Sequence, residues 1–313
     1  PYHVVDNLKK KLLKNGFSEL NLKDKWHIEK EGKYFVTQND TSLFAFKVGT
    51  SDIASSGFKI VAAHSDSPTF KIKPSPEISV EDKYIKFNTE TYGSPILNTW
   101  LDRPLSIAGR VSSKGKNSLK PITHLVTIEQ PILIIPNLPI HFNRTVNEGI
   151  ALNKQTDMLP VTALITEELN TNLLLASKIS EIINVPVEDI LEVDLNLYDV
   201  AKGSIIGLNN EFICSGKLDD LAMVHAGLSA LLDANQTTST NVLAIFDNEE
   251  VHEMMETPDS EIESFLDGMT IGQLEKVGAF FTGAPNLSHT VTYKCPECET
   301  EQSMTIRGLE NFF

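Results

Sequence analysis

Three short groups of metal-ligating side chains stand out in the sequence. They are His64-Ser65-Asp66, Asp219-Asp220 and Asp247-Asn248-Glu249-Glu250, and each follows a segment that we predict to be a β-strand. In an open α/β sheet the carboxyl ends of the strands form one crevice, so distant residues converge there. An imidazole and several carboxylates suit zinc, and also cobalt or manganese, and a carboxylate can bridge two such ions about 3.5–4 Å apart. The sequence therefore predicts a metal site.

Each group taken alone has an ordinary structural explanation. A histidine two residues from an aspartate is most often a hydrogen-bonded histidine without a metal. An Asp pair before a helix is usually an N-cap with a neighbour, and a Glu pair after a strand is usually solvated charge at a helix start. Their joint occurrence after three predicted strands is what favours a site.

The predicted elements that must position these groups lie at both ends of the first 250 residues. A helix ends at Asn15-Gly16, and residues 33–38 and 42–48 alternate as strands do. Residues 58–63 are mostly apolar on both faces, which is typical of a central strand in a helix-covered sheet. We predict a return to this sheet through a strand at 211–214, a helix at 220–233 and a strand at 241–246.

The middle of the chain has a different residue pattern. From about residue 75 to 207 there are many short β-branched runs separated by prolines, with one helical stretch near 161–183. We therefore predict a β-rich insert at 75–207 that interrupts an α/β domain made of residues 1–74 and 208–253. Residues 254–313 form a tail of different character.

Charge and composition exclude some classes of function. The net charge of −15 opposes binding to nucleic acid and to anionic membranes, and no apolar run is long enough to span a bilayer. Three unevenly placed cysteines do not make a disulfide framework, which agrees with a reducing, cytoplasmic location. The first residue is Pro1, so we also expect that the chain is a fragment.

The metal-ligand groups lie in longer stretches that resemble the aspartyl aminopeptidases, a family of dinuclear zinc aminopeptidases. The resemblance covers about residues 1–251, in the family's order. It is carried by Ala63–Pro68, Lys71–Pro74, Glu90–Gly93, Asn98–Leu105, Ala108–Val111, Pro139–Arg144, Leu152-Asn153, Asp157–Pro160, Lys217–Asp220 and Asp247–Val251.

The resemblance implies a fold and a set of metal ligands. The fold would be a zinc-peptidase-like open α/β sheet with helices, interrupted by a β-rich dimerisation domain, in a homo-oligomer of tetrahedral form. Carried over position by position, His64 would bind one zinc, Glu250 would bind the other, and Asp219 would bridge the two.

The resemblance also implies catalytic roles and a substrate class. Asp66 would orient His64, and Glu249 would be the general base that takes a proton from the attacking water. His141 resembles a histidine that reaches the active site of a neighbouring subunit and stabilises the tetrahedral intermediate, although a rim or core histidine is the alternative. The expected substrates are peptides that begin with Asp or Glu.

The chain departs from the family after Val251. About two of the five expected protein ligands to zinc, a carboxylate and a histidine, have no counterpart here, so we expect impaired activity. The alternative function is that of a non-enzymatic remnant fused to a structural or assembly module.

The tail carries its own motifs. We predict a helix at 270–281 and a hairpin from strands at 290–294 and 303–307, with Cys295 and Cys298 near its tip. A Cys-x-x-Cys pair supplies half of a zinc site, and only His289 is nearby, so a reduced thiol pair or a site completed elsewhere is the alternative. Residues 259–313 weakly resemble baseplate hub proteins of contractile-tailed phages, and we predict no nucleic-acid or membrane partner.

Overall fold

The computed structural model describes residues 1–117, 120–167 and 172–252, together with the backbone of strands at 288–294 and 301–307. The chain divides into two compact units, Pro1–Met255 and Glu256–Phe313. The α-helices are α1 (Tyr2–Lys14), α2 (Ile53–Ser56), α3 (Leu174–Ile183), α4 (Leu218–Asp233) and α5 (Glu249–His252). The strands are β1 (Ser18–Leu20), β2 (Lys33–Gln38), β3 (Ser42–Lys47), β4 (Phe58–His64), β5 (Thr69–Val80), β6 (Tyr84–Tyr92), β7 (Leu105–Asn117), β8 (Lys120–Thr127), β9 (Val161–Leu164), β10 (Ile190–Asp199), β11 (Ser204–Ile206), β12 (Phe212–Cys214), β13 (Thr240–Phe246), β14 (Ser288–Lys294) and β15 (Glu301–Arg307).

The first sheet of the larger unit, which we call the core sheet, has the strand order β1-β2-β3-β13-β4. Strand β13 runs parallel to β4 and antiparallel to β3. One face of this sheet packs against α1 and α4, because Leu12 and Leu228 share a hydrophobic cluster with Leu243 of β13. The mixed α/β fold predicted from the sequence is confirmed.

Strand β4 does not lie where the sequence placed it. We expected residues 58–63 to form a central strand, but β4 is at the edge of the core sheet in the described part of the chain. Phe58 is 57% exposed and Ile60 is 63% exposed. Residues 58–64 do form a strand, but the second neighbour that such an apolar strand normally has is not among the described elements.

The second sheet, which we call the insert sheet, has the order β8-β7-β10-β5-β6-β9. Its core contains Phe70, Ile107 and Leu195, which are fully buried, and Trp100 packs edge-on against Phe70 with 5.1 Å between ring centroids. Helix α3 contributes Leu175 to the same core. The middle of the chain is therefore β-rich, although the domain boundaries stay predictions and β5 begins ahead of residue 75.

Two expected elements differ in the structure. The predicted helix near 161–183 is strand β9 followed by the shorter helix α3, because Val161–Leu164 pairs with β6 at the sheet edge. The strand expected at 211–214 does not rejoin the core sheet. It is β12, which pairs with β11 in a separate hairpin. Thus Asp219 and Asp220 follow this hairpin and not a core-sheet strand.

The smaller unit is described only through two strands. Strands β14 and β15 pair antiparallel, as the sequence predicts, with His289 opposite Ile306. Cys295, Cys298 and the predicted helix at 270–281 lie outside the described residues, as do residues 259–287 of the stretch that resembles baseplate hub proteins.

Candidate metal centre

His64 is the last residue of β4, and two aspartates hold its backbone and its ring in place. Its backbone N–H donates to Asp220 Oδ2 at 2.8 Å, which fixes the chain at the strand end. Its ring Nδ1 lies 3.2 Å from Asp66 Oδ1. A carboxylate accepting from Nδ1–H leaves Nε2 with a free lone pair, the form of histidine that binds a metal.

The Nε2 atom of His64 faces two carboxylates. It lies 3.8 Å from Asp219 Oδ1 and 3.7 Å from Asp220 Oδ2. One ligand atom from each of these three residues lies within 4.8 Å of the other two. The Asp219 side chain is 88% exposed, so it is open to a further group, whereas that of Asp220 is largely buried.

Asp219 and Asp220 are presented by the start of α4. Both residues have non-helical backbone angles, and a cis peptide bond joins them. Ser67 Oγ donates to the backbone carbonyl of Asp219 at 3.2 Å, which ties this turn to the segment that follows β4. The two carboxylates therefore leave the backbone where the helix begins and meet His64 there.

Asp66 is buried, and its carboxylate contacts three groups next to the cluster. Besides its contact with His64, its Oδ2 accepts a hydrogen bond from Tyr92 Oη at 2.7 Å and one from the backbone N–H of Glu250 at 3.2 Å. The Tyr92 hydroxyl also lies 3.2 Å from Asn248 Oδ1. One carboxylate thereby connects the ends of β4 and β6 to the start of α5.

The two glutamates lie on the short helix α5, directly after β13. Glu250 is buried, and its carboxylate lies against Gly93. A Cβ atom at Gly93 would come within 3.1 Å of Glu250 Oε2, and Gly93 has a φ of +69°. Both facts favour glycine at this position. Glu249 is partly exposed at the first position of the helix.

The negative charges shift the pKa of their neighbours. Burial lowers the pKa of His64, but the carboxylates of Asp220 and Asp66 raise it, and the net effect is a raised pKa. Burial and the hydrogen bond to Asp66 raise the pKa of Tyr92 far above its ordinary value. The tyrosine thus remains a hydrogen-bond donor to Asp66.

The structure brings together most of the residues that the sequence singled out. His64 lies within 4 Å of both Asp66 and Asp219, and the backbone N–H of Glu250 donates to Asp66. The carboxylate of Glu250 is not one of the groups in the His64–Asp219–Asp220 cluster. His141 is not part of the three-residue cluster and lies in an exposed turn of the insert.

Two contributors were missed as individual residues. The sequence gives Asp220 no role beyond that of a neighbour to Asp219, yet its carboxylate accepts from the backbone N–H of His64 and faces the His64 ring. Tyr92 lies in the Glu90–Gly93 stretch that resembles the family, but the sequence gives it no role of its own. Its spacing from Asp66 carried no signal, because the two meet only after β5 and β6 have paired.

An imidazole at a strand end of an α/β sheet and carboxylates gathered around it form a donor set that suits a metal ion such as zinc. The chain matches the Aminopeptidase I zinc metalloprotease (M18) family over residues 1–266. It therefore belongs to the M18 family of zinc metalloproteases, which confirms the resemblance seen in the sequence.

Relatives and solved structures agree with this assignment. A Clostridium novyi protein, "Probable M18 family aminopeptidase 2", is 54% identical over 250 residues, which is 80% of this chain and 58% of that relative. Chaetomium thermophilum mApe1 has a TM-score of 0.71 at 32% identity and covers 80% of this chain and 60% of its own. The S. cerevisiae mApe1 dodecamer has a TM-score of 0.68 at 26% identity, with 86% and 64% covered. The chain thus spans under two thirds of the length of these proteins.

No helix in residues 1–117, 120–167 and 172–252 is long and apolar enough to cross a membrane.

Proposed function

We propose that this chain carries the N-terminal part of a zinc aminopeptidase active site. The observation that supports this most is the arrangement of His64, whose Nδ1 is held by Asp66 while Nε2 faces Asp219 and Asp220. One imidazole nitrogen and carboxylate oxygens are donors that zinc accepts. The residues present therefore fit zinc, and cobalt or manganese remain alternatives for the same oxygen-rich set.

In this proposal His64, Asp219 and Glu250 would hold the metal. A zinc ion bound there would supply Lewis acidity and would lower the pKa of a water molecule. Asp66 keeps the His64 ring in one tautomer and orientation. Glu249 accepts the proton of the attacking water and passes it to the leaving amine. Asp220 anchors the backbone of His64 and adds negative charge beside its ring.

We propose peptides with an N-terminal Asp or Glu as substrates. A cavity of about 740 Å³ lies beside the site, lined by Tyr92 and Asp247 near the cluster and by Lys71, Arg110 and Lys217. Lys71 is already paired with Asp194 at 2.9 Å. Lys217 precedes the Asp219 turn by two residues, so its ammonium group is the candidate partner for an acidic substrate side chain.

We also propose that the insert at 75–207 mediates a homo-oligomer. The solved S. cerevisiae relative is a dodecamer. In this chain the turn that contains His141 is exposed, and the adjacent Phe142 is 80% exposed. A neighbouring subunit would cover this apolar turn and would bring His141 to its own site.

The ligand count sets the level of activity that we expect. A catalytic zinc normally has three protein ligands and an open position, whereas here two zinc ions would share one histidine and two or three carboxylates. We propose that the chain hydrolyses Asp- and Glu-peptides weakly, at least tenfold below a full-length M18 enzyme.

The test is hydrolysis of Asp-, Glu- and Leu-peptides with added zinc, cobalt or manganese, with Glu249→Gln as the control. Weak, metal-dependent activity that prefers acidic peptides and disappears in Glu249→Gln would support the proposal. Activity equal to that of a full-length enzyme would contradict the expected impairment. Activity unchanged in Glu249→Gln would remove Glu249 as the base, and the absence of both activity and metal binding would favour the non-enzymatic remnant.

A further inference from the structure

The end of β6 lies against the metal centre, although β6 is a strand of the insert sheet. Tyr92 is the last residue of β6, and it is paired with Thr69, the first residue of β5. Since Thr69 follows closely after Asp66 in the chain, this pairing brings Tyr92 beside the turn that leaves β4. Thr69 is itself buried, and its Oγ1 donates to the backbone carbonyl of Leu197 on β10 at 2.7 Å. The insert sheet therefore sets the position of Tyr92.

The Tyr92 hydroxyl reaches two segments that carry residues of the candidate site. It donates to Asp66 Oδ2 at 2.7 Å and lies 3.2 Å from Asn248 Oδ1. Asp66 follows β4, whereas Asn248 directly precedes Glu249 at the start of α5. One side chain of the insert thus touches both core-sheet segments of the site.

The bond to Asp66 matters because of what else this carboxylate holds. Its Oδ1 lies 3.2 Å from His64 Nδ1, and its Oδ2 also accepts from the backbone N–H of Glu250 at 3.2 Å. A carboxylate is planar, so a donor that fixes Oδ2 also fixes the direction in which Oδ1 meets the imidazole. Asp66 is almost fully buried, so bulk water does not replace a donor that is lost. Loss of the tyrosine hydroxyl should therefore disturb both contacts together.

The next residue, Gly93, brings the backbone of the insert against Glu250. A Cβ atom on Gly93 would lie 3.1 Å from both Cβ and Oε2 of Glu250, so the two residues are already in close contact. The φ of +69° at Gly93 also suits glycine. The end of β6 thus reaches the site by a hydrogen bond at one residue and by packing at the following one.

We propose that Tyr92 is a positioning residue of the metal centre, acting through Asp66 on the His64 ring and on the start of α5. The inference rests on the proposed function, because His64 and Glu250 serve as ligands only if the chain binds a metal ion. Removing an outer partner of a metal-bound histidine typically lowers metal affinity about 10- to 100-fold. Tyr92 acts through one further residue, so we expect a loss of about tenfold, at the lower end of that range.

A purely structural role for Tyr92 makes a different prediction. Loss of its hydroxyl would then lower thermal stability but would leave the metal affinity of the folded chain unchanged. Tyr198 on β10 of the same sheet provides the matched control, because its Oη donates to the backbone carbonyl of Ile128 at 2.7 Å, the same length as the bond from Tyr92 to Asp66. Tyr198→Phe therefore removes an equivalent hydrogen bond without changing a donor to Asp66.

The experiment compares the full chain as wild type, Tyr92→Phe and Tyr198→Phe, with folding of each verified by its thermal transition. Zinc affinity is measured by calorimetry, and cobalt is added separately so that its visible absorption spectrum reports the geometry of the ligands. We expect Tyr92→Phe to bind zinc about tenfold more weakly and to change the cobalt spectrum. Tyr198→Phe should bind zinc as the wild type does and keep the same spectrum.

A second measurement needs no metal. In the metal-free chain, exchange of the Glu250 amide hydrogen relative to amides of the insert core should be faster in Tyr92→Phe than in the wild type, and unchanged in Tyr198→Phe. NMR measures these rates.

Two results would overturn the inference while leaving the proposed function intact. One is a zinc-binding wild type whose affinity is unchanged in Tyr92→Phe, and the other is an equal loss of affinity in Tyr92→Phe and Tyr198→Phe. A wild-type chain that binds no zinc contradicts the proposed function, and amide exchange then decides the inference. Faster exchange of the Glu250 amide in Tyr92→Phe alone would support the positioning role, whereas equal rates in all three proteins would overturn it.

Discussion

The two sheets of the larger unit differ in how far they bury similar apolar residues. Phe70 on β5 of the insert sheet is fully buried against Trp100, whereas Phe58 on β4 of the core sheet is 57% exposed. The insert sheet closes its core with its own strands and α3. The core sheet packs against α1 and α4 on one face, whereas on the other face Phe58 and Ile60 are exposed among the described residues. The metal-ligand cluster lies at the end of β4, which is the edge strand of this sheet in the described part of the chain.

This contrast shows that local sequence sets the type of an element but not its neighbours. Residues 58–63 have the composition of a buried central strand, and they form a strand. Whether that strand is buried depends on segments that pair with it later. The insert has its own buried core, whereas the metal cluster lies at the end of the exposed strand β4. A stable insert therefore does not imply a complete metal site.

The largest predicted effect is a difference in free energy of unfolding between matching substitutions in the two sheets. Phe70→Ala should lower the free energy of unfolding by about 3–5 kcal/mol, because it opens a cavity in a packed core. Phe58→Ala should change it by less than about 0.5 kcal/mol, because the side chain is already largely in water. Urea denaturation of both variants measures the difference. Equal losses would show that Phe58 is buried in this chain in solution.

A smaller loss is expected from Asp66→Asn. The carboxylate uses both oxygens to bind His64, Tyr92 and the backbone N–H of Glu250, and an amide has only one acceptor oxygen. One donor is left unsatisfied in a buried place, so we expect a loss of about 2–3 kcal/mol. Tyr92→Phe is the milder control, since it removes one of these bonds and keeps the charge. An Asp66→Asn variant as stable as the wild type would mean that Asp66 does not hold the site together.

A pH-dependent effect is expected where α1 meets the insert sheet. Asp194 on β10 accepts hydrogen bonds from Tyr2 Oη and from Lys71. Burial raises the pKa of Asp194, but these two bonds lower it more, so the net pKa lies below its ordinary value. A carboxylate whose pKa is lower in the folded state stabilises the fold above about pH 4, and this stability is lost as the pH falls through the folded-state pKa.

The corresponding variant is Asp194→Asn. At pH 7 we expect it to be about 1–2 kcal/mol less stable than the wild type, since a charged hydrogen-bond acceptor is lost. At pH 3 or below the difference should shrink, because the wild-type carboxyl is then being protonated. Urea denaturation at both pH values measures the change. A difference that stays constant with pH would mean that the charge of Asp194 contributes nothing.

Much of this fold was predictable from local pattern, and the failures concern which strands pair. Helix α1, strands β2, β3 and β13 and the tail hairpin follow from hydrophobic period and turn residues. The edge position of β4 and the strand β9 are not predicted by local pattern, because each depends on a pairing partner that is distant in the sequence or absent from the described part. The β11–β12 hairpin is local, and the prediction failed there because it paired residues 211–214 with the core sheet and not with the adjacent β11.

The site was predictable to a similar degree. His64, Asp219 and Glu250 were found because metal-ligating residues after predicted strands are a recognisable pattern, and the resemblance gave them roles. Tyr92 and Asp220 were missed as contributors because their contacts depend on how β6 and the α4 turn approach Asp66 and His64. Such contacts are tertiary and leave no trace in local spacing.

Zinc binding by the chain alone tests the central claim most directly. Zinc per chain and its affinity can be measured by native mass spectrometry and calorimetry for the wild type, His64→Ala and His141→Ala. We predict that the wild type binds zinc, that His64→Ala binds at least tenfold more weakly, and that His141→Ala, altered in an exposed turn away from the cluster, binds like the wild type. A wild-type chain without zinc, or a His64→Ala variant that binds as tightly as the wild type, would contradict the account.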